Sequence, residues 1–174
     1  MQIRTLTASD AGRYRELMLE AYTLAPDAFT STAEERAREP ESWWIKRIAD
    51  PTRLTVAFGF ELDGQLAGTA ALEYSSKPKT KHAALLVGMY VREPARRLGA
   101  GRALLQAALA HATQRQGVGV VTLTVTEGNA PAIEMYEAAG FKTWGTQPWA
   151  IATPSGPKGR VHMSCRLRGT SAAP

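Results

Sequence analysis

The sequence predicts a single α+β domain of mixed α/β character, with strands and helices packed around one sheet. Three observations carry this expectation. Strand-like runs follow one another between residues 54 and 91, joined first by a hairpin turn and then by a polar loop. Downstream, the apolar period switches from strand to helix and back twice before ending in two strands. The 174 residues contain no internal repeat, no low-complexity tract and no linker long enough to separate a second domain, so one core is expected.

Ile3 to Leu6 reads as a short first strand, and Thr7 with Asp10 forms a capping-box-like pair. Tyr14, Leu17, Met18 and Ala21 fall on one face of a helix. "APDAF" reads as a turn or loop around Pro26, Thr32 with Glu35 suggests a helix start, and Pro40 opens a short helix carrying Trp44, Ile45 and Ile48 on one side. Leu54 to Leu62 and Gln65 to Tyr74 are strands joined by Asp63-Gly64, a strong hairpin signal. Lys81 to Val91 is almost unbroken apolar sequence and predicts a central strand, completing an antiparallel meander. Leu105, Ala108, Leu109 and Ala112 mark a second long helix that Gly117 ends. Val118 to Thr126 is a strand rich in valine and threonine. Asn129 caps a further helix, with Pro131 in its first turn and Gly140 at its end. Two strands follow Phe141, the second near Val161 to Leu167. Residues 1–168 are thus expected to form the domain, and 169–174 (GTSAAP) a disordered tail.

Composition excludes several classes of function. Hydrophobic residues make up 44% and charged residues 21%, an ordinary globular profile, and no apolar run is long enough to span a bilayer. MQIRTLTASD lacks the apolar core of a signal peptide, so a cytoplasmic protein that engages no membrane is expected. Cys165 is the sole cysteine, which rules out an internal disulfide and a multi-cysteine zinc site; within VHMSCRL it reads as a buried structural thiol. No spacing of His, Asp and Glu suggests a metal, and three scattered histidines argue for no Ser-His-Asp arrangement. The formal net charge of +5 permits anionic ligands, nucleic acid among them, without choosing between them.

The arginines are spread along the chain except at "VREPARRLGAGRALL", which holds Arg92, Arg96, Arg97 and Arg102. Here a strand ends, Gly99 and Gly101 flank Ala100, and a helix begins. A helix N-terminus presents unpaired N–H groups and a positive dipole end, and small residues let phosphate oxygens approach that backbone. The junction therefore reads as a diphosphate cradle. "GAGRAL" lacks the Lys-Ser/Thr ending of a P-loop, and Leu104 stands where a dinucleotide fingerprint needs its third glycine.

With Val91 ahead of Arg96-x-x-Gly99-x-Gly101, and with "VTEGNAPAIEMYEAAGF" downstream, the chain resembles the GNAT superfamily of acyl-CoA-dependent N-acetyltransferases. In the second motif Asn129, Tyr136, Gly140 and Phe141 all stand at family-like positions. The resemblance spans roughly residues 3–167, and its specific region lies between Val87 and Phe141. It implies a mostly antiparallel sheet of about seven strands, helices on both faces, and a splayed pair of central parallel strands. Acetyl-CoA would be the cosubstrate, with no metal.

Carried over by position, the backbone of Met89, Tyr90 and Val91 would pair with pantetheine, and Gly88 would allow the bulge that starts the splay. Arg96, Arg97, Leu98, Gly99, Ala100, Gly101 and Arg102 would hold the diphosphate, largely through N–H groups, and Asn129 would hydrogen-bond the pantetheine chain. Tyr136 is the candidate general acid for the departing thiolate. An N–H near Met89 would stabilise the oxyanion. The base is open, because residues 83–89 carry no acid where many family members place one. Glu73 and His82 are the nearest candidates, Glu127 is third, and a water chain is the alternative.

Acceptor specificity in this family is set by the first two helices, the loop between them and the last hairpin. Tyr22, Phe29, Trp43, Trp44 and Trp149 would line an aromatic cleft, while Asp27, Glu34, Glu35 and Glu41 would attract a cationic amine. Core packing competes as the role of Trp44. The expected reaction is acetyl transfer to a primary amine by direct attack in a ternary complex. Its partner would be a small-molecule or peptide amine, not nucleic acid, and a homodimer fits the family's habit. The alternative is a non-catalytic acyl-CoA-binding sensor.

Overall fold

The structure is a computed structural model and describes residues 2–167; the tail expected at 169–174 lies outside the described residues. Seven strands form one sheet in the order β1-β2-β3-β4-β5-β7-β6. They are β1 (Gln2–Thr5), β2 (Thr55–Leu62), β3 (Gln65–Tyr74), β4 (Ala83–Val91), β5 (Val120–Thr126), β6 (Lys142–Thr153) and β7 (Gly156–Arg166). The helices are α1 (Ala11–Leu24), α2 (Ala33–Ala37), α3 (Glu41–Ile48), α4 (Glu93–Arg96), α5 (Ala100–Gln114) and α6 (Ala130–Ala138). All strand pairs are antiparallel except β4 with β5.

Strand alternation divides the core between the two faces of the sheet. Phe58, Phe60, Ala70 and Leu72 pack with Leu104, Leu105 and Ala108 of α5 and with Tyr136 of α6. Ala57, Leu66, Ala71 and Tyr90 pack with Tyr14, Leu17 and Met18 of α1 and with Trp44 and Ile48 of α3. The expected helical stripe on α1 is thus the stripe that is buried.

Local chemistry explains most of the element ends. Asp63 and Gly64 both have positive φ, 51° and 76°, the geometry of the tight hairpin that Asp-Gly favours. The Thr32 hydroxyl accepts from the Glu35 N–H at 3.1 Å and starts α2. The Asp10 carboxylate accepts from the Thr7 N–H at 2.8 Å and is gripped by both terminal nitrogens of Arg4 at 2.7 and 2.8 Å.

"APDAF" contains a 3-10 turn, Pro26–Ala28, within the expected turn or loop. The structure corrects the sequence reading at two places. A one-turn helix, α4, fills the junction after β4, with Pro94 in its first turn, where Pro lacks only an N–H that the helix would leave unused. The last hairpin is longer than expected, because β7 begins at Gly156 rather than near Val161. Its edge strand β6 is mostly exposed and breaks register twice, between Thr143 and Gly145 and between Gln147 and Ile151, which hides the alternation on which strand reading depends.

Candidate active site

The parallel pairing of β4 with β5 is short. Ala83, Ala84 and Leu85 pair with Val120, Val121 and Thr122, and the two strands then diverge. Beyond that point Ala70 of β3 faces two residues of β4, Gly88 and Met89, so β4 bulges where Gly88 has φ of 63°. A residue with a side chain is strained in that conformation, and glycine is not. The splay and the bulge expected at Gly88 are therefore both present.

A cavity of about 320 Å³ opens at the diverging strands. Leu86 to Met89 of β4 and Leu123 to Thr126 of β5 form its two flanks. Asn129, Met135 and Tyr136 of α6 and its cap reach it from one side, and Tyr22, Phe29, Arg36, Arg47 and Arg160 reach it from the other. The Thr126 hydroxyl donates to the Asp27 carbonyl at 2.6 Å, tying the turn after α1 to the end of β5 and closing that wall.

Tyr136 is 6% exposed, and its ring lies 5.8 Å from that of Phe141. Burial pushes its phenol up to about 12, so at neutral pH the hydroxyl carries its proton. Asn129 caps α6 by accepting from the Ala132 N–H at 3.4 Å, which leaves its amide nitrogen to donate into the cavity it lines.

The glycine junction lies next to the cavity rather than in its wall. Gly99 is the left-handed cap of α5, φ 77°, and a Cβ there would meet nothing within 4 Å. By helix geometry the N–H groups of Ala100, Gly101 and Arg102 have no partner inside α5. Arg97, Leu98 and Arg102 are exposed around this open backbone, and Ala100 is buried beneath it. At Gly101 a Cβ would press on the Met135 sulfur at 3.0 Å, and Met135 lines the cavity. The four arginines of the stretch divide by role. Arg96 turns back to donate to the Val91 carbonyl at 2.8 Å. Arg92 is held by Glu20 at 2.8 Å and donates to the Leu66 carbonyl, so it fastens β4 to α1. The Tyr90 hydroxyl also goes to Glu20, at 3.2 Å, which leaves that residue only its backbone to offer a ligand. This arrangement fits acetyl-CoA: an unpaired edge of β4 for pantetheine, and a small-residue helix start for the diphosphate.

The structure does not bring the candidate bases into the cavity. Glu73 is outside its lining, with Arg47 at 3.6 Å between them. His82 is exposed at the start of β4, where its carbonyl accepts from the Gly119 N–H at 2.8 Å. The Glu127 carboxylate accepts from the Gly159 N–H at 3.2 Å. The expected acidic, aromatic acceptor cleft is corrected too. Asp27 is paired with Lys158 at 2.8 Å, and neither it nor Glu34, Glu35 or Glu41 lines the cavity. Trp44 is core at 1% exposure, Trp149 stands 84% exposed on the edge strand, and Trp43 sits behind Arg36 and Arg47. Only Tyr22 and Phe29 of the five aromatics line it. The three lining arginines come from α2, α3 and β7, and no motif in the sequence joins them.

Among the described residues no group of three or more His, Cys, Asp or Glu could hold a metal ion, and no helix is long and apolar enough to cross a membrane. Cys165 is half-buried on β7, away from the cavity, and burial raises its thiol.

A splayed parallel pair beside a glycine-capped helix, with a protonated tyrosine lining the gap, is the arrangement that the sequence resemblance leads one to expect. The chain belongs to the acetyltransferase (GNAT) family, whose model matches residues 16–141. A mycothiol acetyltransferase of Acidothermus cellulolyticus is 30% identical over 158 residues, 84% of this chain and 46% of that protein. One from Thermomonospora curvata is 35% identical over 122 residues, 70% of this chain and 37% of that protein. The chain thus spans less than half the length of these curated relatives. Among solved structures, the Salmonella typhimurium protein yncA with its cofactor acetyl-CoA superposes with a TM-score of 0.80 at 20% identity, covering 100% of this chain and 98% of that one. The ribosomal-protein-alanine N-acetyltransferase of Brucella melitensis gives 0.78 at 23% identity, covering 96% and 100%. At such identities the likeness speaks for the fold.

Proposed function

We propose that this protein transfers the acetyl group of acetyl-CoA to a primary amine by direct attack in a ternary complex. The observation that carries this reading is the protonated, buried Tyr136 phenol on the wall of the cavity where β4 and β5 diverge. When bound, acetyl-CoA supplies a thioester carbonyl; the amine nitrogen forms the new C–N bond, the C–S bond breaks, and the thiol leaves as thiolate.

The chain's own groups divide the remaining work. The backbone of Met89, Tyr90 and Val91 holds the pantetheine arm along the free edge of β4, and Asn129 donates to it. The N–H groups around Gly99, Ala100 and Gly101, with Arg97 and Arg102 nearby, hold the diphosphate; Arg96 and Leu98 shape that loop. The bulge at Gly88–Met89 offers an N–H to the carbonyl oxygen. Tyr136 donates to the departing sulfur. The acceptor's ammonium proton leaves through water, with Glu73 behind Arg47 as one carboxylate outside the wall. Cys165 is outside the cavity, which favours direct attack over an acetyl-cysteine. Acetyl-CoA as cosubstrate and a single unpaired cysteine favour a cytoplasmic setting.

A thiol-release assay over a panel of amines, run beside calorimetric titration with acetyl-CoA, tests the reading. Turnover with at least one amine is expected. Acetyl-CoA binding without turnover of any amine would make the protein an acyl-CoA sensor instead.

A further inference from the structure

The charged lining of the cavity has one sign. Among the described residues Arg36, Arg47 and Arg160 line it, and no Asp, Glu or His does. Their partners set them apart. Arg36 is well compensated: it donates to the Ser31 hydroxyl at 2.6 Å and pairs with Glu39 at 3.2 Å and Glu35 at 3.5 Å. Arg47 has one carboxylate, Glu73 at 3.6 Å, and its Nε is buried without a hydrogen bond. The Arg160 Nε is likewise buried without a hydrogen bond, and none of the carboxylates of the described residues lies within ion-pair distance of this side chain. Burial lowers its guanidinium below the ordinary arginine value, as expected of a cation short of an anion.

Unpaired buried cations are costly, and guanidinium forks match carboxylates in a planar, two-point geometry. Trp43 steadies two of the three: the Arg36 and Arg47 guanidiniums lie 4.8 and 5.0 Å from its ring centroid. This cluster is separate from the arginines of the glycine junction, because Arg96, Arg97 and Arg102 do not line the cavity. We propose that the acceptor is a small amine that carries a carboxylate, of amino-acid size, with its carboxylate held by Arg160 and Arg47.

The proposal rests on the N-acetyltransferase reading and sharpens it. Polyamines and polycationic amines would meet the incompletely paired guanidiniums of Arg47 and Arg160. A cavity of about 320 Å³ that must also admit the thioester end suits an acceptor of amino-acid size. The same positive field favours loss of the acceptor's ammonium proton, in a site whose wall offers no carboxylate to take it.

The test compares free amino acids with their α-carboxamides, which keep the amine and remove the negative charge. kcat/KM is expected to be about ten-fold or more higher for the acids, the scale of one charge-assisted hydrogen-bonded pair. Arg160→Gln should bring acid and amide to within about two-fold of each other, and Arg160→Lys should keep some of the preference. Acetyl-CoA affinity and melting temperature should stay unchanged in both variants. N-acetyl amino acids and their carboxamides, titrated directly by NMR, give the same comparison without turnover. Equal kcat/KM or equal binding for acids and amides would overturn the proposal. So would an Arg160→Gln enzyme that still discriminates, or one that binds acetyl-CoA more weakly, since Arg160 would then serve the cosubstrate. Failure of the wild-type protein to bind acetyl-CoA defeats the acetyltransferase reading instead, and the direct titration still decides the anion site.

Discussion

Tyr136→Phe removes one oxygen from a side chain whose ring is packed against Phe141 and which is 6% exposed. None of the described residues hydrogen-bonds that hydroxyl, so the fold loses almost nothing; a melting temperature within about 2 °C of wild type is expected. The chemical effect is larger, and its size follows from acidity. With the phenol near 12 and an ordinary thiol near 8.5, full proton transfer to the leaving thiolate is uphill by about 3.5 units, or roughly 5 kcal/mol. In the proposed role Tyr136 would therefore act mainly by hydrogen-bonding the developing anion, and its proton would cross only as the sulfur departs. A hydrogen bond to a charged group contributes about 1.5–3 kcal/mol, so kcat should fall about 10–150-fold. Steady-state thiol release, with acetyl-CoA affinity measured by calorimetry, separates the two effects. Wild-type kcat, or a loss carried wholly by acetyl-CoA affinity, would refute this reasoning.

Three further perturbations probe the cradle and the fold. Gly99→Glu puts a side chain with a negative charge where φ is 77° and where the proposed cradle would hold the diphosphate; acetyl-CoA binding should drop beyond detection in calorimetry, and unchanged affinity would remove the cradle. Arg4, and after it the Thr7 N–H, hold the buried Asp10 carboxyl well below its usual range, so its stabilisation is present above an unfolded pKa of about 3.9 and is lost as pH falls below it. Asp10→Asn should cost about 1–3 kcal/mol at pH 7 and less in acid, which thermal melts between pH 7 and 3 would show as converging curves. Thr69 is fully buried with an unpartnered hydroxyl, so Thr69→Val should be neutral or raise the melting temperature by a few degrees, about 2–4 °C per kcal/mol gained; a clear fall would mean the hydroxyl is satisfied.

Most of the fold was legible because its signals are local. Asp63-Gly64 can hardly do anything but turn a hairpin, and Thr32 and Asn129 cap helices through their own side chains. The alternation of Phe58 and Phe60 against Ala57 marks two sheet faces within a few residues. The β6–β7 hairpin was harder, since an exposed, twice-bulged edge strand shows neither a clean alternation nor a buried run. On the candidate site, Gly88, Gly99, Asn129 and Tyr136 were legible through two family-like motifs, and the positive φ of Gly88 and Gly99 and the Asn129 cap give three of them a local structural reason.

The sequence alone, through its resemblance to the GNAT family, pointed to the half of the proposed site that faces the cosubstrate, because one strand, one turn and two helix starts carry that resemblance. Only the tertiary structure brought together the residues proposed for the acceptor half. Arg36, Arg47 and Arg160 lie on short helices and a late strand, far apart in the chain, and each alone is an ordinary surface cation. The placement of β7 between β5 and β6, with α2 and α3 folded over the same opening, points them into one cavity and leaves the acids outside it. Charge in a chain is additive, but its sign at a given point depends on which side chains the fold brings within reach of one another, and which of them it leaves unpaired there.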